Sequence, residues 1–170
     1  DLTVDISLNL RTSLLERKLD LAFLMGPVSE FSVENVPLPS FDLHWYRSVS
    51  NPQTDLSVVP VISYARMTRP YRELMSELSR RIGPSVRVFA SASLSASLKM
   101  IAAGIAVGPY PRALARDFLK SEQIVEFDAG FRPQPLQFTA SYLSEPRSFL
   151  VENSAEIAQS VALNWDKSQP

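Results

Sequence analysis

Four serines occupy every second position of the stretch SASLSAS, residues 91–97, directly before a helix-like apolar run. A helix N-terminus carries unpaired amides and about half a unit of positive charge, and hydroxyl groups beside it can donate hydrogen bonds to a carboxylate. One serine is enough to cap a helix, because a single side-chain oxygen accepts an amide two or three residues on. Two interpretations stay open. Either the corner from Ser91 to Ser93 binds an anionic or polar small molecule, or one serine caps and the others face solvent or pack as small residues.

The remaining residue types offer no constellation for catalysis or metal binding. The chain has no cysteine and one histidine, His44, which stands in a strand-like stretch beside Trp45. A hydrolytic triad needs a base with named partners, and zinc needs clustered nitrogen or sulfur ligands. Neither a G-x-S-x-G elbow nor a glycine-rich phosphate-binding motif occurs. We therefore expect no catalytic residue, no metal and no cofactor.

The charge balance argues against nucleic-acid binding by these residues themselves. Seventeen basic and eighteen acidic residues give a formal net charge of -1, so no overall positive field is available to hold phosphates. The segment RMTRPYR, residues 66–72, combines arginines with Tyr71, and we interpret it as the solvated start of a helix. No apolar stretch approaches the roughly 20 residues that cross a bilayer, and no secretory signal pattern opens the chain. We expect a cytoplasmic protein without membrane contact.

Periodicity predicts the elements that position these residues. Val4 to Leu10 alternates with polar residues, which predicts a strand. The run LDLAFLM, residues 19–25, predicts a central parallel strand that is covered on both faces. Met25, Gly26 and Pro27 follow at its carboxyl end, where open α/β sheets place ligand-binding loops. A plain exit turn is the alternative for these three residues.

Strands and helices alternate in the middle of the chain and predict βαβ units with a parallel sheet. A strand ends near Ser63, a helix runs from Thr68 to Gly83, and the strand of residues 86–90 leads into the serine stretch. A helix from Leu94, a strand at residues 105–108, a helix led by Pro111 and a strand at QIVEF follow. Near the C-terminus, residues 136–142 alternate as a strand, and the last helix has an apolar face that comprises Leu150, Ile157, Val161 and Trp165.

Turn-rich segments at residues 48–55 and 128–135 predict two linkers. They divide the chain into a discontinuous lobe I, residues 1–50 and 136–170, and a lobe II, residues 51–135. The chain then crosses between the lobes twice, an arrangement that makes a cleft.

Two stretches, RTSLLERKLDLAF and SASLSASLKMIAAGIAVGPYPRALA, resemble the C-terminal effector-binding domain of LysR-type transcriptional regulators in their order and spacing. The resemblance implies an α/β fold of the type II periplasmic-binding-protein kind, with two Rossmann-like lobes joined by two crossover strands. It also implies a small-molecule effector between the lobes, a homodimer or homotetramer, and DNA contact only through a helix-turn-helix segment that these residues do not contain. The family's first strand and helix, which precede the segment matching VDISLNL, are also missing, so the sequence resembles a truncated domain.

Carried over residue by residue, the resemblance places the effector against three junctions. These are the loop Met25, Gly26 and Pro27, the corner Ser91 to Ser93, and the strand from Gly108 to Tyr110; Ser63, at the end of the first strand of lobe II, joins them. Tyr110 stands where the family usually has an aliphatic residue, so it either closes the cleft, contacts an aromatic effector or belongs to the core. We interpret the chain as a sensor module without enzyme activity. A periplasmic-type solute-binding protein, which shares the bilobal plan, is the alternative.

Overall fold

The computed structural model describes residues 1–167, and for 166 and 167 only the backbone. Within this range the chain forms five helices and eight strands. In chain order they are α1 (Ser7–Leu15), β1 (Leu21–Met25), β2 (Val33–Pro37), β3 (Leu43–Ser48), β4 (Val61–Ser63), α2 (Arg69–Arg81), β5 (Val88–Ala90), α3 (Leu94–Ala102), β6 (Gly108–Pro111), α4 (Arg112–Lys120), β7 (Ile124–Glu126), β8 (Phe138–Leu143) and α5 (Phe149–Lys167). No helix in the described range is long and apolar enough to cross a membrane.

The chain divides into two compact units. The first unit contains residues 1–41 and the chain from residue 136 onward, and the second unit contains residues 42–135. The first boundary therefore falls after Phe41 and not after residue 50 as predicted. Its physical reason is strand β3, which pairs with β6 and β7 of the second unit and so belongs to that unit's sheet.

The first unit is built on an antiparallel sheet of order β1-β8-β2. Alternate side chains of β1 point into a core that also takes residues from α1 and β2, because side chains of a strand alternate between its faces. The core cluster contains Leu14, Ala22, Leu24, Val28 and Val33. Helix α5 packs against β8 and β2, with Ala155 fully buried and Gln159 Nε2 donating to the Pro37 carbonyl oxygen at 2.6 Å.

The apolar face predicted for the last helix points largely away from this core. Leu150, Ile157 and Val161 are more than half exposed. Trp165 is partly exposed and contacts the ring of Phe41 at a centroid distance of 6.0 Å. Helix α5 therefore contributes its small residues to the unit and leaves its large aliphatic side chains at the surface.

Two sequence predictions for the first unit are wrong. Val4 to Leu10 was predicted as a strand, but the chain enters helix α1 at Ser7. Asp5 Oδ1 accepts hydrogen bonds from the Ile6 amide at 2.7 Å and from Asn9 Nδ2 at 2.9 Å, and such local bonds stabilise a first helical turn. Residues 19–25 were predicted as a central parallel strand, but β1 is an edge strand of the described sheet, pairs with β8 in antiparallel direction, and leaves Phe23 half exposed.

The second unit combines parallel and antiparallel pairing. Strands β4 and β5 are parallel, and an isolated bridge between Val61 and Val107 joins β4 to the residue before β6. Strand β3 pairs with β6 and β7 in antiparallel direction, so the prediction of a parallel sheet holds for only part of this unit. The strand predicted at residues 105–108 lies a little later, at β6.

Helices α2, α3 and α4 of the second unit lie where the sequence predicts them. Helix α2 contributes Leu74 and Leu78 to a core cluster that also contains Trp45, Leu56, Val59, Val61 and Val107. Trp45 Nε1 donates to the Phe131 carbonyl oxygen at 2.9 Å, so the indole satisfies its polar group while its rings fill the core.

Candidate functional site

The ends of β4 and β5 bring three of the predicted serines together. Ser63 is the last residue of β4, and Ser91 follows β5 directly. Because the two strands are parallel, their carboxyl ends lie at the same edge, and the Ser91 amide donates to the Ser63 carbonyl oxygen at 3.1 Å. Ser93 comes two residues later, at the start of α3. The predicted corner is therefore a junction of two strands and a helix N-terminus.

The serine stretch divides its hydroxyl groups among local roles. Ser93 Oγ caps α3 by accepting the Ala96 amide at 3.3 Å. Ser91 Oγ accepts the Ser93 amide and donates to the Ser93 carbonyl oxygen, and Ser97 Oγ donates to the same carbonyl oxygen at 3.0 Å. Ser95 is exposed and Ser97 is fully buried. One serine caps and one packs, as the second interpretation has it, while Ser91 fixes the backbone of the corner.

Ser63 has a different environment from the other serines. Its side chain is fully buried, and within the described residues its Oγ forms no hydrogen bond. Tyr46 Oη and Arg47 Nε share this property, but only Ser63 lies at the serine corner. Burying a hydroxyl without a hydrogen-bond partner costs about 1–3 kcal/mol of stability, because its bonds to water are not replaced. Ser63 is therefore the predicted site residue with unused hydrogen-bonding capacity.

Gly108 and Tyr110 belong to β6, whose start lies beside β4. Both are buried in β6, and Tyr110 is fully inaccessible to solvent. The Tyr110 hydroxyl donates to the Ile62 carbonyl oxygen at 3.5 Å, and its ring lies 5.3 Å from the ring of Tyr64. Burial raises the pKa of Tyr110 to about 12, although a hydrogen bond with Ser97 opposes the increase. Of the alternatives for Tyr110, this structure places the side chain in the core.

The predicted loop after β1 belongs to the first unit and is held from two sides. The Met25 amide donates to Ser7 Oγ, at the start of α1, at 3.0 Å. Gly26 is buried and Pro27 is exposed, and the peptide bond between them is cis. Met25, Gly26 and Pro27 thus present one solvent-facing residue on a fixed backbone.

The polar side chains that hold this loop are not among the residues predicted from the sequence. Asn35 Oδ1 accepts the Val28 amide at 2.9 Å, and Asn35 Nδ2 donates to the Val28 carbonyl oxygen at 3.1 Å. Ser141 Oγ donates to Asn35 Oδ1 at 2.8 Å and lies 2.8 Å from Thr139 Oγ1. Buried hydroxyls at alternate positions of an otherwise apolar strand are a signal in the sequence, since buried polar groups need partners.

Other candidate groups have structural partners. His44 Nδ1 lies 2.7 Å from Glu126 Oε1, and Arg112 lies 3.6 Å from the second oxygen of the same carboxylate. Arg66 stacks over Tyr71 at 5.9 Å, and Arg69 pairs with Glu73. In the described part of the chain, no group of three or more histidine, cysteine, aspartate or glutamate residues could hold a metal ion.

A groove lies in the second unit, and two of its lining residues, Tyr64 and Pro109, are chain neighbours of Ser63, Gly108 and Tyr110. It is lined by Leu43, Tyr64, Pro70, Glu73, Leu74, Glu77, Pro109, Pro133 and Gln134. None of the predicted site residues lines it, and both of its carboxylates pair with arginines, so the groove does not replace the predicted site.

A known family model matches most of the chain. The family model described as LysR substrate binding domain matches residues 1–162. No curated protein matches the sequence significantly.

Solved structures of regulatory domains share the fold. The bromide-bound regulatory domain of HypT from Salmonella typhimurium has 16% identity and a TM-score of 0.77, with 92% of this chain and 80% of that chain covered. The effector-binding domain of QuiR in complex with shikimate has 14% identity and a TM-score of 0.73, with 94% and 79% covered. Full-length LysG from Corynebacterium glutamicum with bound effector Arg has 16% identity and a TM-score of 0.69; the match covers 94% of this chain but 57% of LysG.

Proposed function

Because the chain belongs to the LysR substrate-binding domain family, we propose that it binds a small anionic or polar metabolite between its two lobes. Domains of this family are regulatory effector-binding domains and not enzymes, so the match favours the regulatory interpretation over a periplasmic-type solute-binding protein. LysR-type regulators bind small-molecule effectors and DNA. In our proposal this chain binds the effector in the cytoplasm, and a homodimer or homotetramer transmits the binding signal to the DNA-binding segment. A separate helix-turn-helix segment contacts the DNA.

The unpaired hydroxyl of Ser63 is the observation that carries the proposed site. A ligand oxygen that accepts from Ser63 Oγ would restore the hydrogen bond that burial removed. Helix α3 begins at the same corner, and its first turn has amides without intrahelical acceptors. An anionic group is favoured there because the helix dipole adds positive potential. The proposed site comprises Ser63, Ser91 and Ser93 with Gly108 and Tyr110 as support, and the loop Met25, Gly26 and Pro27.

The ligands of the matched structures provide the first probes. Bromide, shikimate and arginine are bound in the HypT, QuiR and LysG structures, respectively. Bromide is an anion, and shikimate and arginine each carry a carboxylate. These ligands support a search among small anions and carboxylates and leave the effector's identity to the experiment.

A thermal-shift screen tests the proposal. The purified chain is melted with bromide, shikimate, arginine and a panel of small carboxylates over a range of concentrations. A specific effector stabilises the folded state by about 2.7 kcal/mol at a hundredfold excess over its Kd.

Titration calorimetry on Ser63→Ala, with exposed Ser95→Ala as the matched control, then locates the site. Loss of one hydrogen bond lowers the affinity by roughly fivefold to tenfold in Ser63→Ala and leaves it unchanged in the control. A panel that stabilises nothing, or a ligand that binds both variants equally, contradicts the proposal.

Signal transmission follows from differential binding. A ligand shifts a conformational equilibrium only by the difference between its affinities for the two states. We propose that the effector binds one arrangement of the two lobes, or one packing of the oligomer, more tightly than the other. Its binding would then be coupled to DNA affinity by the same factor in both directions.

A further inference from the structure

The geometry points to Asn35 as a positioning residue for the Gly26–Val28 loop, acting together with Ser141. This inference rests on the proposed function, because the loop matters for binding only if it contributes to the effector site. Asn35 stands in β2, on the far side of β8 from β1. Its amide group nevertheless bonds both polar backbone groups of Val28, at 2.9 Å and 3.1 Å. The loop that leaves one edge strand is thus fastened to the other.

Proton accounting fixes the direction of the hydrogen bonds. Asn35 Oδ1 accepts from the Val28 amide and from Ser141 Oγ, and Asn35 Nδ2 donates to the carbonyl oxygens of Val28 and Val33. The single proton of the Ser141 hydroxyl is therefore used on Asn35. In the 2.8 Å contact between Thr139 Oγ1 and Ser141 Oγ, Thr139 must then be the donor. The chain runs one way, from Thr139 through Ser141 to Asn35 and the loop.

Burial makes this chain of bonds costly to break. Ser141 is fully buried and Thr139 is 6% exposed. If Ser141 is removed, Thr139 Oγ1 stays buried without this hydrogen-bond partner, and a half-satisfied buried network is less stable than a complete one. The loop also lies directly on Thr139, because a Cβ added to Gly26 would stand 2.0 Å from Thr139 Oγ1. The network therefore fixes both the distance of the loop from β8 and its orientation.

Hydrogen–deuterium exchange tests the positioning role without any ligand. We compare the parent chain with Asn35→Ala, Ser141→Ala and the control Asn153→Ala, which changes an exposed asparagine of α5. Loss of the direct bonds in Asn35→Ala accelerates exchange of the Val28 amide about tenfold, and Ser141→Ala gives a smaller acceleration, since it removes only the support of Asn35. Exchange in β1 and β8 serves as the internal reference for general destabilisation.

Selective acceleration at Val28, with β1 and β8 unchanged, supports the inference. Equal acceleration in the loop and in the strands, or an equal effect of Asn153→Ala, overturns it. Bromide, shikimate and arginine then serve as probes of binding by titration calorimetry. If Asn35→Ala releases the loop but leaves the affinity for a bound probe unchanged, the positioning role is overturned while the proposed function stands. If exchange is selective and no probe or panel ligand binds the parent chain, the proposed function fails while the hold of Asn35 on the loop stands.

Discussion

Gly108 and Ile62 lie so close together that a Cβ atom added to Gly108 would stand 2.5 Å from the Ile62 carbonyl oxygen. The same atom would lie 2.9 Å from the Tyr110 ring. Gly108 opens β6, next to the bridge by which Val107 joins β4. The missing side chain therefore allows β4 and β6 to approach each other and leaves room for the Tyr110 ring beside Gly108.

Gly108→Ala is expected to destabilise the folded chain by about 3 kcal/mol, near the upper end for single substitutions, because the clash is with backbone and no side-chain rotation relieves it. The free energy of unfolding in urea measures the effect. Gly130→Ala is the control, since Gly130 has a φ of +77° and open space around its Cβ position. The control loses only the about 1–2 kcal/mol of a left-handed alanine. A smaller loss at Gly108 than at Gly130 would show that the strands separate without cost.

Ser93→Ala removes the cap of α3 and is expected to cost about 1 kcal/mol of stability, because the Ala96 amide loses its acceptor. Ser95→Ala, at an exposed position two residues on, is expected to stay within about 0.5 kcal/mol of the parent chain. Urea unfolding of the two variants side by side gives the comparison. Equal stability of both would mean that Ser91 or solvent replaces the cap.

Local sequence signals predict helix α2 well. Pro70 lies in its first turn, Leu74 and Leu78 are buried on one face, and Gly83 follows it with a φ of +99°. Only the cap differs, since the Thr68 hydroxyl donates to the Ala65 carbonyl oxygen instead of accepting an amide. Each of these signals acts within a few residues, so sequence alone contains them.

Strand direction could not be predicted, because it depends on partners that are distant in the sequence. The residues of β1 read as a parallel strand from their apolar content, but their neighbour β8 is more than a hundred residues away and antiparallel. The same reason explains the error at Val4 to Leu10. Alternation predicts a strand only if a neighbouring strand supplies hydrogen-bond partners, and here Asp5 bonds locally to the Ile6 amide and to Asn9 instead.

For the candidate site, the sequence predicted the junction and missed the supports. Ser63 and Ser91 come together as expected of residues that end neighbouring parallel strands. Asn35 and Ser141 were missed because they are far apart in the sequence and meet only through the pairing of β2 with β8. The burial of Tyr110 could not be predicted for a similar reason, since its neighbours Ile62, in β4, and Tyr64, directly after β4, are more than forty residues away in the sequence.

Leu78→Ala tests the core of the second unit. Leu78 is fully buried in its cluster. The free energy of unfolding of the variant is therefore expected to fall by about 2–5 kcal/mol, because apolar burial is lost and a cavity remains. Leu114→Ala in α4 makes the same chemical change at a position that is 43% exposed. It is expected to cost about 1 kcal/mol or less. Thermal unfolding of both variants decides the matter, and a Leu114→Ala loss as large as that of Leu78→Ala would contradict the assigned core.

Tyr110 predicts a loss of stability at alkaline pH. Its pKa is raised from the usual 10.0 to about 12, mainly because burial disfavours the phenolate. An unfolded chain therefore releases this proton first, so the stabilisation is complete below pH 10 and is lost between pH 10 and pH 12. The slope of the free energy of unfolding against pH reaches about 1.4 kcal/mol per pH unit.

Urea unfolding at about pH 9 and pH 11 measures this loss. The free energy of unfolding should decline less in Tyr110→Phe, by about that amount, because the variant lacks the titrating group. The hydrogen bond to Ile62 is lost at both pH values and cancels from the comparison, and Tyr46, whose pKa burial also raises, contributes equally to both proteins. Burial and then the charge of Tyr110 raise the pKa of Tyr64, so Tyr110→Phe also removes part of the Tyr64 contribution, which makes its decline smaller still. Parallel declines in the two proteins would show that the Tyr110 hydroxyl reaches solvent before the chain unfolds.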